Sequence, residues 1–391
     1  MVDLKIAALI TLCAALAGCG SLSTVGLDSG NLTAAKRLDG NNLQQKVDFL
    51  AQPLIDGGQV PGMVVGVLLP DRSRQFFGYG VADKTSGIKP DGDTLFAVGS
   101  LSKLFLGAIT AKLVDDGVLS WDETLRTLLP ATTPLSPDAE KITVLQLATH
   151  TSGLPRQPMT FAMLSPFVRY LFTGENFYRH LDRDYAMAYL AGFEADTSGV
   201  PHYSNIGYGL LGYILELRTG SSLGMLLQQK IIAPLGLKCT GYAPVALPCY
   251  SSRAHGYSGD QPKFIRRGEA VPDWEFTPFM QGAGAIYSNA RDILSFAAAH
   301  VWDTDLPLNA VMADDMRVRF PRVKEAAAIS WVVDEVEGEP IAYQIGVVAG
   351  YTAYVGIDIG HKTAVVVLKN SFEWDNRIGH QLLLSLRRQA R

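Results

Sequence analysis

Apolar residues at Val47, Leu50 and Leu54 recur at helical spacing and predict a helix over residues 43–54. The pattern then changes to period-two, β-branched stretches. Residues 63–69 read as a strand, Pro70-Asp71-Arg72 as a turn and residues 75–81 as a second strand. A helix is predicted over 102–116, burying Phe105, Ile109 and Leu113 on one side and stopping at Gly117. From there to about residue 270 the chain reads as helix and long loop. Strand-like segments return at 327–333, 341–348, 352–359 and 363–370, and an amphipathic helix over 377–388 closes the chain. Strands from both ends with helices between them predict an α+β fold. One antiparallel sheet, flanked by helices, would come from residues 43–99 and 275–391, with a helical subdomain over about 100–274 inserted. No internal repeat is apparent.

The first residues change the picture. Lys5 precedes an apolar run over 6–17, too short to span a bilayer and suited to a signal-peptide core. It ends in Leu16-Ala17-Gly18-Cys19, which reads as a lipobox with Cys19 as the lipidated residue; the alternative is an ordinary signal peptide with an incidental cysteine. Residues 1–18 would be removed, and 19–42, without a regular apolar period, would form a flexible tether. More than one acyl chain holds a protein stably at a membrane surface, and Gly20 after the cysteine favours the outer membrane of a periplasm. The 391 residues are 48% hydrophobic and 18% charged, a folded composition, and a net charge of −4 leaves no basic footprint for nucleic acid. Cys239 and Cys249, ten apart in a Pro- and Gly-containing loop, are either a disulfide or two buried thiols. Neither a C-x-x-C nor an H-E-x-x-H pattern points to a metal.

Ser100-Leu101-Ser102-Lys103 lies where an extended segment meets a helix start. The i, i+3 spacing puts Ser100 and Lys103 on one face of the first turn. A serine hydroxyl needs a base to become a nucleophile, and a desolvated lysine with a depressed pKa can serve. The helix end also offers N–H groups to an oxyanion. The tetrapeptide alone is common, usually a cap followed by a solvated lysine.

The surrounding residues add to it. Phe96-Ala-Val-Gly-Ser-Leu-Ser-Lys103 and Leu113-Val-Asp-Asp-Gly-Val-Leu-Ser120 resemble the nucleophile region of class C serine β-lactamases, D-Ala-D-Ala carboxypeptidases and related esterases. Residues 142–155, ending His150-Thr-Ser-Gly-Leu-Pro155, resemble a structural signature of that family. Tyr203-Ser-Asn205 resembles its Tyr-x-Asn motif, and Pro234-Leu-Gly-Leu237 and Gly282-Ala-Gly-Ala-Ile-Tyr-Ser288 are similar to later landmarks. The resemblance spans about residues 43–372. It implies Ser100 as nucleophile, Lys103 as its activating partner, and Tyr203 as general base and then acid for the leaving group. It further implies that Asn205 bonds Lys103 and the substrate, and that the N–H groups of Ser100 and Val347 form the oxyanion hole.

The third motif departs from the family. Counting back from Gly350-Tyr351 gives Gln344-Ile345-Gly346 where Lys-Thr-Gly or His-x-Gly would stand. Gly346 is kept, but the cation and hydroxyl that engage a substrate carboxylate are replaced. Gln344, Gly346 and Val347 are assigned to substrate binding, weak β-lactam hydrolysis is expected, and ester turnover should exceed it. The reading is a serine hydrolase acting, without a cofactor, on a small-molecule or peptide ester or amide. A carboxypeptidase or β-lactamase, an acyltransferase and a catalytically weak penicillin-binding protein are the alternatives. His150 and His202 read as structural, and residues 161–178 as a packed helical segment rather than an acyl-group wall.

Overall fold

The computed structural model describes residues 29–158, 160–196, 200–302, 306–375 and 377–387, so Cys19 and the apolar run before it lie outside it. Among the described residues, seven strands form one antiparallel sheet. They are β1 Gly62–Leu68, β2 Arg74–Gly80, β5 Ala326–Ala327, β6 Val332–Val336, β7 Glu339–Val348, β8 Tyr351–Asp358 and β9 Thr363–Lys369, in the order β2-β1-β9-β8-β7-β6-β5. A separate pair, β3 Phe96–Ala97 and β4 Tyr287–Ser288, braces the segment before Ser100. The ends of the chain meet at the β1–β9 register, where Met63 faces Lys369 and Leu68 faces Ala364.

Both faces of the central strands are covered, so β1, β8 and β9 are buried at every position, and strand parity sorts their residues between two cores. Val64, Leu68, Ala364, Val366 and Leu368 enter the larger core, shared with the helical region. Met63, Val65, Val67, Val365 and Val367 enter a smaller one. The larger core includes helices α3 Ser102–Asp115, α6 Asn205–Thr219 and α7 Ala290–Val301. The smaller is closed by α2 Leu43–Asp56, capped by the Asn42 side chain, and by α9 Arg377–Leu386.

The predicted strands and terminal helices stand close to their expected bounds, with two differences. Residues 327–333 do not form one strand: the chain turns back at Ser330, whose φ is 65°, and Ala328 N–H bonds Trp331 O. The expected tether over 19–42 is structured in its described part. Helix α1 Ser29–Lys36 packs against α9, burying Asn31 and Ala35, and Leu38 is buried just after it. So few apolar contacts leave no periodic signature. Cys239 and Cys249 are bridged, with Cα atoms 6.0 Å apart.

Candidate active site

Ser100 sits in a 3-10 turn, Gly99–Leu101, that runs directly into α3. The turn is pressed against the open edge of β7. A Cβ on Gly346 would lie 2.0 Å from Val98 O and 3.0 Å from Ser100 N, and one on Gly99 would lie 2.9 Å from Val347 N. Both positions therefore require glycine, and Gly99 also takes φ of 52°. Pairing of β6 with β7 ends at Val332–Tyr343, leaving the following stretch of β7 without a strand on that side. Ile345 N–H faces this edge and is capped by the Gln344 side-chain oxygen at 2.9 Å. Alternate residues of a strand direct their N–H groups the same way, so Val347 N–H points off the same edge, toward the serine turn.

Lys103, on the first turn of α3, is fully buried. Its Nζ lies 3.0 Å from Ser100 Oγ and donates to Ala283 O at 2.6 Å. No acidic side chain pairs with it among the described residues. Burial, and secondarily the Arg156 guanidinium, hold its pKa well below the lysine range. Tyr203 is also buried; its hydroxyl makes no hydrogen bond of regular geometry, and Ser100 is the side chain whose hydroxyl acts on it. Burial raises the phenol to about 12, against smaller opposing effects of Arg156 and Ser100, so Tyr203 is protonated at neutral pH.

Tyr203 is held by its ring. His150 stacks on it at 4.4 Å between centroids, Lys103 Nζ lies 4.9 Å from the ring centre, and Arg156 Cζ lies 4.5 Å from it. His150 Nδ1 accepts from Ser204 N–H at 3.0 Å, which assigns its proton to Nε2. Burial, then Lys103 and Arg156, push its pKa well down, keeping the ring neutral. His150 is thus a core histidine, as expected, but one that positions the tyrosine loop. His202 lies to one side, its Nε2 2.7 Å from Asp196.

The structure brings Ser100, Lys103, Tyr203, Gly346 and Val347 together and corrects two assignments. Gln344 is buried and does not face a substrate: its amide donates to Ser330 O at 2.7 Å while its oxygen caps Ile345 N–H. Asn205 does not bond Lys103. Its Nδ2 donates to Tyr178 OH at 2.7 Å, and Tyr178 OH donates to Gln157 Oε1 at 3.1 Å. Lysine instead finds the carbonyl of Ala283, a main-chain group that no residue type announces, although Gly282 and Gly284 flanking it mark close packing. Tyr178 stacks with Phe276 at 6.0 Å, and a Cβ on Gly284 would lie 3.2 Å from the Phe276 ring and 3.8 Å from Gly99 C. Phe167, Tyr170, Phe177 and Tyr178 are buried in the larger core, so the aromatic stretch begun in helix α4 Phe161–Thr173 is a packed segment, as expected, whose Tyr178 reaches Asn205. Among the described residues no group of three or more His, Cys, Asp or Glu side chains is placed to hold a metal.

The chain is similar to several known proteins. The chain is 27% identical over 376 residues to unguisins hydrolase ungD' of Aspergillus campestris, covering 89% of this chain and 65% of that protein. It is 26% identical over 330 residues to the D-alanyl-D-alanine-carboxypeptidase/endopeptidase AmpH of Escherichia coli, covering 80% of each. The class C beta lactamase of Rhodobacter sphaeroides superposes with a TM-score of 0.73 at 24% identity, over 88% of this chain and 99% of that one, and shares the fold. Residues 47–387 match the beta-lactamase family as a whole. With its sheet closed by both termini and a serine–lysine pair at the start of its central helix, the chain belongs to the beta-lactamase family of serine hydrolases.

Proposed function

We propose that the protein hydrolyses an ester or amide through an acyl-enzyme on Ser100. The observation that carries this is the Lys103 amine, buried 3.0 Å from Ser100 Oγ with no counter-ion among the described residues. A neutral amine takes the serine proton as Oγ attacks the carbonyl carbon. The N–H groups of Ser100 and Val347 receive the oxyanion, and glycine at 346 lets the serine turn sit close enough against β7 for the two to converge. Tyr203, a phenol at working pH, passes the proton to the departing oxygen or nitrogen, so it acts as the acid and Lys103 as the base. Water then discharges the acyl group by the reverse path. The relatives support the chemistry: one is a hydrolase, the other a carboxypeptidase/endopeptidase.

A fluorophosphonate probe on folded protein should add one adduct, mapped to Ser100 by mass spectrometry and absent in Ser100→Ala. A folded wild type that takes no adduct, or takes it elsewhere, overturns the reading. We further propose export and lipidation at Cys19, testable by palmitate labelling that is lost in Cys19→Ala.

A further inference from the structure

The positive charge that Gln344 and Ile345 do not provide stands elsewhere in the cleft. Arg156 follows Pro155 at the end of the loop that cradles Tyr203-Ser204-Asn205. Pro155 O accepts from Ser204 Oγ at 2.9 Å, and Arg156 O accepts from Asn205 N–H at 2.9 Å. Its backbone is therefore tied to the catalytic turn. Its guanidinium lies 4.5 Å from the centre of the Tyr203 ring, and the residue is half-buried, whereas Lys103, over the same ring, is fully buried and engaged. Most other arginines among the described residues form ion pairs, Arg253 with Asp273 and Arg218 with Glu123 among them, while Arg72 lies over the Trp302 ring and Arg74 donates to Ser295. Arg156 pairs with no acidic side chain among the described residues. An arginine fork left open beside the proton donor has the geometry to accept a carboxylate on two N–H groups.

We propose that Arg156 is the carboxylate subsite of this enzyme, holding an acidic leaving group against Tyr203 while the acyl bond breaks. The inference rests on the acyl-enzyme reading above. A leaving group departs toward its proton donor, so substituents on the departing atom lie on the Tyr203 side, within reach of Arg156. The substrate class is an acyl compound whose departing oxygen or nitrogen carries a neighbouring carboxylate: a peptide releasing its C-terminal amino acid, or an ester of a hydroxy acid. Ser100 Oγ bonds to the carbonyl carbon, the C–O or C–N bond breaks, and the serine proton ends on the released atom. The carboxylate stays ionised on Arg156 throughout.

Two substrates with one acyl group test this: the N-benzoylglycyl ester of lactic acid and that of lactamide. Both give the same acyl-enzyme and differ only in the carboxylate. In Arg156→Met the acid-to-amide ratio of kcat/KM should fall at least about tenfold, with partial recovery in Arg156→Lys. Deacylation, after the acid has left, should be equal for the two substrates in each variant. In the wild type, kcat/KM for the acid should fall between about 20 and 500 mM salt while that for the amide holds. An unchanged ratio in Arg156→Met, or equal salt dependence of the two substrates in the wild type, overturns the subsite. The salt comparison needs no variant to fold. Failure of the underlying reading looks different: neither substrate is turned over and Ser100 takes no adduct.

Discussion

At Lys103 burial and the Arg156 guanidinium act in the same direction, and both favour the free amine. The consequence for pH follows from the sign of that shift. Activity requires the amine unprotonated, so kcat/KM should rise through an acid limb placed well below the lysine range and then level off. Tyr203, raised to about 12, sets no limb below strongly alkaline pH. Lys103→Arg should cost about 10³-fold in kcat, since a guanidinium cannot accept the proton; steady-state ester assays across pH check both statements. At Gln344 the expected effect is on stability. Gln344→Ala leaves Ser330 O and Ile345 N–H unpaired in the interior and should cost roughly 2 kcal/mol in urea unfolding, with KM for neutral esters little changed. A large KM effect with unchanged stability would return Gln344 to the substrate. The sequence marked the side chains whose type carries chemistry, Ser100, Lys103 and Tyr203. It did not mark Ala283, which acts through its carbonyl, nor Arg156, one residue beyond the stretch that resembles a family signature.

Among elements, the legible ones are those whose apolar period is uninterrupted. Strands β1, β7, β8 and β9 and helices α2, α3 and α9 announce themselves because each buries a regular face or both faces. The break between β5 and β6 was hidden, since Ala327 to Val333 is apolar apart from Ser330, where the backbone reverses. Helix α7 shows a further cost of burial. His300 lies inside against Phe296 and Trp331, its Nδ1 donating to Phe296 O at 2.9 Å. Burial lowers it to about 4, with the Phe296 carbonyl opposing. The neutral ring fits the fold, so its contribution is present above pH 6.5 and lost as pH falls toward 4, to a total of about 3 kcal/mol. His300→Phe should therefore flatten, though not abolish, the acid loss of urea stability between pH 7 and 4.5. His150 and His380 are lowered as well and keep part of it. An acid loss unchanged in the variant would mean that His300 is protonated without unfolding.

For the molecule as a whole, the sheet joins segments distant in sequence, and α1 is fastened onto the last helix of the chain. Removing residues before Asn42 should lower Tm by about 5 °C, because Ala35, Leu38 and the Asn31 contact to Gln381 are lost from α9. An unchanged Tm would make that segment a passive leader. The apolar pattern foretold an α+β chain, but not that Ser29–Lys36, within the expected tether, belongs to the core.

The pairing of β1 with β9 also has a consequence in time. Met63 meets Lys369, a partner about 300 residues later in synthesis. At roughly 5–20 residues per second, β1 waits about 15–60 s on the ribosome before its neighbour exists. Until then the sheet has no centre, and the smaller core, which needs α9, cannot form. The nascent chain is thus open for nearly its whole elongation, a window in which a chaperone can take hold of it before the fold closes.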